Sequence, residues 1–143
     1  MKRTAFAAVS AVALACAAPA LAGPQAEVLH WWTSGGEAKS VAVLQQEFAD
    51  NGGTWTDMPV AGGGGDAAMT ALRARVLSGN APTAVQLKGP AIQEWYEEGV
   101  LADISSVAEA EGWADVLPGS IAEHMKCEGK WCAAPVNVHR VDW

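Results

Sequence analysis

Apolar and polar positions recur with two different periods along this chain, and the switches between them lay out its elements. The first 22 residues stand apart. They begin with the basic Met1-Lys2-Arg3, run through an Ala-rich apolar stretch over 5–18, and close on Ala20-Leu21-Ala22 before Gly23-Pro24. A basic start, a short apolar run and an A-x-A ending are the parts of a secretory leader, cleaved after Ala22. The run is too short and too rich in alanine for a comfortable membrane anchor. A lipid attached at Cys16 is the alternative, but a lipobox places leucine three residues before its cysteine and Ala13 stands there.

Past the leader, residues 27–33 (EVLHWWT) form a short apolar and aromatic run that predicts a strand. After Ser34-Gly35-Gly36 the period changes. Val41, Leu44 and Phe48, at i, i+3 and i+7, predict a helix over 37–50 that Asn51-Gly52-Gly53 stops. Residues 54–60 (TWTDMPV) predict a second strand. Residues 62–65, all glycine, predict a loop, with Asp66 as N-cap of a helix that carries Met69, Leu72 and Val76 on one face and ends near Gly79. Residues 83–87 predict a third strand, and Gly89-Pro90 open a helix with Ile92, Trp95 and Tyr96 inward, ended by Gly99. Shorter helical pieces over 106–111 and 118–125, a hairpin over 127–132 and a last strand over 133–138 complete the pattern. The order β-α-β-α-β-α with short connections predicts an α/β fold, a mostly parallel sheet flanked by helices. Ligands of such sheets sit beyond the carboxyl ends of the strands. That rule selects three loops: 32–37, 61–66 and 88–89.

Composition sharpens this picture in two ways. The chain has 143 residues, a net charge of −7 and a hydrophobic half, a length for one ordinary domain. Removing the leader lowers the hydrophobic share and makes the rest more acidic, because Lys2 and Arg3 leave with it. Only nine Lys and Arg are present, and they are scattered, which argues against nucleic acid as a partner. The leader also takes Cys16 away. Cys127 and Cys132 remain, and an even pair in an exported chain predicts a disulfide. A hairpin with Gly129-Lys130 as its two-residue loop would pair Glu128 with Trp131 and bring the cysteines opposite each other, with Cα atoms about 4.5 Å apart. The rival, a metal or redox site, lacks nearby histidines and the C-x-x-C spacing.

The first loop carries Trp31, Trp32, Ser34 and Glu37. Adjacent strand side chains face opposite ways, so one tryptophan is expected in the core and the other in the cleft. An exposed indole offers a flat apolar face to the C–H face of a sugar ring, and its N–H donates to a hydroxyl. Glu37 accepts from several hydroxyls, and Lys88, directly behind the third strand, is a donor-only complement. The same residues have plain structural roles open to them: two core tryptophans, a glutamate supporting a helix N-terminus and a solvated lysine. The 62–65 run lacks the Lys-Ser/Thr of a phosphate loop, and Asp66 would repel phosphate; a backbone that a ligand approaches closely fits better. Glu37 and Asp66 are a conceivable glycosidase pair, but no nucleophile elbow or zinc motif accompanies them. His30 and His124 read as structural or exposed. No catalytic residue, metal or cofactor is assigned.

WWTSGGE (31–37), V-x-GGGG (60–65), QLKGP (86–90) and GKWCAAPVNVHRVDW (129–143) together resemble the periplasmic sugar-binding proteins of bacterial ABC transporters, glucose/mannose-binding type. The resemblance implies a periplasmic binding protein type II-like lobe whose partner lobe is missing from this chain. Residues 1–22 are then the leader, and 23–143 the N-terminal lobe of a longer protein, ending near the hinge. Trp31 and Trp32 look like the family's stacking tryptophans, Glu37 and Lys88 like its hydroxyl-binding pair, and 137–140 like the approach to the hinge, with His139 a weaker ligand contact. It further implies a monomeric periplasmic receptor without enzymatic activity. Its ligand would be a monosaccharide, glucose or a relative, delivered to permease subunits in the inner membrane. The alternatives are a receptor for an oligosaccharide or polyol, and an exported carbohydrate-active enzyme.

Overall fold

The structure, a computed structural model, describes residues 23–138. The leader and cleavage point expected over 1–22, with Cys16, and the expected ligand contact His139 lie outside the described residues. Three βα units come first: β1 (Gln25–His30), α1 (Gly35–Asp50), β2 (Thr54–Pro59), α2 (Asp66–Leu77), β3 (Ala84–Val85) and α3 (Ala91–Glu97). The strands form one parallel sheet in the order β2-β1-β3, with Gln25 opposite Thr54 and Val28 opposite Ala84. The α/β order and the parallel sheet read from the sequence are therefore what the chain adopts. Central β1 supplies the fully buried Leu29, and α2 supplies the fully buried Leu72.

The chain continues through α4 (Ser105–Ala110), α5 (Trp113–Val116) and α6 (Gly119–His124) into an antiparallel hairpin of β4 (Lys126–Cys127) and β5 (Lys130–Trp131). The Cys127–Cys132 disulfide is formed, and both cysteines pack with Ile92 of α3 in one apolar cluster. Trp131 packs with Ala108 of α4 and Ala122 of α6 in a second, and meets Trp113 edge-on at 5.5 Å between centroids. Met125 borders both clusters. The hairpin thus anchors the short helices, each too brief to be stable alone. Among the described residues no helix is long and apolar enough to cross a membrane.

Several boundaries depart from the pattern. β1 ends at His30, so the two tryptophans lie beyond the strand rather than inside it. β3 is only two residues long, although the Gln86 N–H still donates to the Leu29 carbonyl at 2.8 Å. Asp66 is not an N-cap. It is already helical, and the capping position belongs to Gly65 at φ +93°, a left-handed conformation that glycine adopts without a Cβ clash. Residues 63–65 form a single 3₁₀ turn rather than an open loop. The hairpin register is shifted by one: Cys127 pairs with Lys130, and Glu128-Gly129 form the turn, both at positive φ as in type I′. The cysteines consequently sit on a diagonal with Cα atoms 5.8 Å apart, still within disulfide reach. The strand expected over 133–138 does not form among the described residues; Pro135 has no N–H for a ladder. The single turn of α5 was not foreseen, since four residues carry no periodicity.

Candidate ligand-binding site

All three loops selected by the carboxyl-end rule follow the ends of β1, β2 and β3, and two of them meet beside the tryptophan that follows β1. Trp31 leaves β1 with its backbone N–H donated to the Gln86 Oε1 at 3.1 Å. The Thr33 N–H then turns back onto the Trp31 carbonyl at 3.0 Å. On the β2 side, the Val60 N–H donates to the His30 carbonyl at 2.8 Å, which aims the glycine segment toward the same end of the sheet. Lys88, two residues past Gln86, donates its Nζ to the carbonyl of Gly64. Its ammonium lies 6.0 Å from the centre of the Trp31 ring, at the outer limit of a cation–π contact. Trp31, the glycine turn and Lys88 therefore form one cluster, with the indole half-buried and the lysine exposed.

Two other predicted residues have different surroundings. Glu37 stands exposed in the first turn of α1, and its carboxylate makes no hydrogen bond or ion pair among the described residues. A carboxylate there complements the helix dipole. Trp32 is only 5% exposed and lines a separate, largely apolar cavity of about 480 Å³, together with His30, Val41, Leu44, Leu87 and Ile104. The split between one inward and one outward tryptophan holds, but a turn after the strand produces it rather than strand alternation.

One constellation in this region was not foreseen. His30 is buried, and its Nε2 donates to Asp57 Oδ1 at 2.9 Å; a carboxylate only accepts. The same oxygen accepts from Gln45 Nε2 at 2.9 Å and Trp55 Nε1 at 3.0 Å. Burial pushes the Asp57 carboxyl up. The hydrogen bonds from Trp55, His30 and Gln45 and the nearby imidazole charge outweigh it and hold the group below its ordinary value. His30 Nδ1 is buried without a hydrogen-bond partner among the described residues. The signal available in the sequence was the histidine beside Leu29 at the apolar end of the first strand, a polar side chain that needs a partner when buried. His124 is exposed, with Nδ1 against the Ser120 carbonyl at 2.6 Å. Among the described residues no group of three or more His, Cys, Asp or Glu is placed to hold a metal.

No protein-family model matches the chain. Over 117 residues, 82% of its length, the chain is 56% identical to a protein of Brucella melitensis named a probable sugar-binding periplasmic protein. Over 136 residues, 95% of its length, it is 54% identical to a protein of the same name from Rhizobium meliloti. The chain is a relative of proteins named probable sugar-binding periplasmic proteins. It spans 28% of the first relative and 33% of the second, about a third of their length. A solved ABC substrate-binding protein of Listeria monocytogenes, in complex with cycloalternan, superposes with a TM-score of 0.61 at 23% identity, covering 75% of this chain and 27% of that one. That likeness shows the fold: an α/β lobe of the periplasmic binding protein kind, parallel sheet flanked by helices, as the resemblance implied.

Proposed function

We propose that residues 23–143 form one lobe of an exported two-lobed receptor that binds a sugar in the periplasm for ABC-transporter import. The observation that carries this reading is the Trp31–Lys88 cluster at the carboxyl end of the parallel sheet. It is an aromatic face beside a cationic donor, suited to a neutral, hydroxyl-rich ring. An indole face with a hydrogen-bond donor beside it suits the holding of a sugar, and no carboxylate pair of the glycosidase kind joins the cluster among the described residues. Glu37 supplies the acceptor once the lobes close, His139 a further contact, and Trp32 supports the platform from within. The receptor is a monomer cleaved after Ala22, and its macromolecular partner is the permease in the inner membrane.

The ligand we favour is glucose or a related monosaccharide. An oligosaccharide is the second reading, favoured by the cycloalternan held by the structural neighbour. Calorimetric titration of the complete receptor with D-glucose and with maltotriose separates the two. Lys88→Ala and Glu37→Ala are each expected to weaken binding about tenfold or more, the worth of one charge-assisted hydrogen bond. Unchanged affinity in both variants would remove these residues from the site. Turnover of a glycoside by the receptor would replace the reading with an enzymatic one.

A further inference from the structure

Trp31 lies flat on the backbone of Gly65. A Cβ built at Gly65 would stand 3.0 Å from Cδ2, 3.0 Å from Cε3 and 3.1 Å from Cζ3 of the indole. Approach within the ring plane would bring one of three consecutive ring atoms much nearer than its neighbours. Near-equal distances therefore put Gly65 over the ring face. Gly65 is buried, and its φ is +93°. A side chain is thus opposed twice, by the left-handed backbone and by a ring that would have to give way. Next to it, the Gly64 carbonyl holds the Lys88 ammonium, and a Cβ at Gly64 would come within 3.4 Å of Nζ. Gln86 fixes the other end of the same tryptophan through its backbone N–H.

We propose that Gly65 is a positioning residue of the site. Its bare backbone carries one face of the Trp31 indole and leaves the opposite face to stack on a sugar ring. Trp31, and not the buried Trp32, is then the stacking platform. This inference rests on the sugar-binding reading above, and the glycine turn takes on a specific task within it. A residue with a side chain at position 65 would lift the ring off its bed, tilt the platform and displace the Lys88 donor beside it.

The test is a double-mutant cycle in the complete receptor, titrated with D-glucose. Gly65→Ala is expected to weaken binding at least tenfold when Trp31 is present and by a clearly smaller factor in a Trp31→Ala background, where the backbone strain remains but the Cβ meets no ring. Equal losses in both backgrounds would overturn the proposal, because backbone strain alone would then explain them. A second readout needs no ligand. The Trp31 indole N–H resonance, identified by its loss in Trp31→Phe, is expected to shift in Gly65→Ala, while those of Trp95 and Trp113 stay in place. An unmoved Trp31 resonance overturns the positioning role. If the wild-type receptor ignores glucose, the monosaccharide reading fails, and the indole resonance still decides the role of Gly65. Should Gly65→Ala not fold, Gly65→Asn carries the same cycle, since asparagine tolerates the left-handed backbone better.

Discussion

The backbone N–H of Trp31 donates to the side-chain carbonyl of Gln86 at 3.1 Å, so the first residue past β1 is tied to the first residue past β3. The bond continues the sheet where the backbone ladder has ended. Gln86→Ala leaves a half-buried donor without its acceptor and is expected to lower stability by about 1–2 kcal/mol. Gln86→Glu keeps an acceptor and is expected to recover most of that. Urea denaturation of the three proteins measures the difference, and an alanine variant as stable as wild type would show that the tether contributes nothing.

Asp57 gives a pH prediction. Its carboxyl is held below the ordinary value by Trp55, His30 and Gln45 against the opposing effect of burial. A carboxylate depressed in the folded state stabilises fully above its unfolded value of about 4, and the contribution fades as pH falls through the lower folded value. Asp57→Asn is therefore expected to be less stable than wild type at pH 7, with the gap narrowing as pH falls below the ordinary carboxylate value of about 4. Denaturation midpoints on either side of that value test this. A gap of constant size would assign the effect to packing instead.

Arg75 of α2 grips Glu27 of β1 with both arms, Nη1 to Oε1 at 3.0 Å and Nη2 to Oε2 at 2.6 Å, and its Nε donates to the Asn80 carbonyl at 2.7 Å. A lysine reaches the carboxylate as a point charge but cannot reproduce the fork. Arg75→Lys is expected to cost about 1 kcal/mol, and Arg75→Ala more, because Glu27 then remains partly buried and unpaired. Thermal melts of both variants should preserve that order.

Reducing the Cys127–Cys132 bond opens a ring whose closure restricts the unfolded chain by only about 2 kcal/mol. Both cysteines are core residues beside Ile92, so their packing should outlast the bond. Wild type in reductant is expected to lose about 2 kcal/mol while keeping its near-ultraviolet signal from Trp131. The Cys→Ser pair, with hydroxyls in an apolar cluster, should lose more. Guanidinium titrations with and without reductant compare them.

Much of this was legible because the chemistry was local. The i, i+3, i+7 spacing of Val41, Leu44 and Phe48 found α1, and glycines marked its ends. The carboxyl-end rule brought Trp31 and Lys88 to one place without any distance being known. What escaped the sequence depended on relations between distant residues or on backbone conformation. The hairpin register turned on Glu128 accepting a positive φ, which no preference for glycine at the first turn position anticipates. Gly65 rather than Asp66 stands at the helix start, in a left-handed conformation and close to the Trp31 ring, a long-range contact that no local pattern announces. The Asp57 hub needs parallel register to bring a histidine and an aspartate 27 residues apart into contact.

The strand order β2-β1-β3 also has a consequence in time. β1 is the central strand, yet it is the first of the three to be synthesised. Gln25 waits for Thr54, and Val28 waits for Ala84. Until the chain has emerged past Val85, one edge of the central strand has no neighbour to pair with. The strand made first is therefore completed last, and the sheet closes only once β3 has been added, a non-local pairing that slows folding.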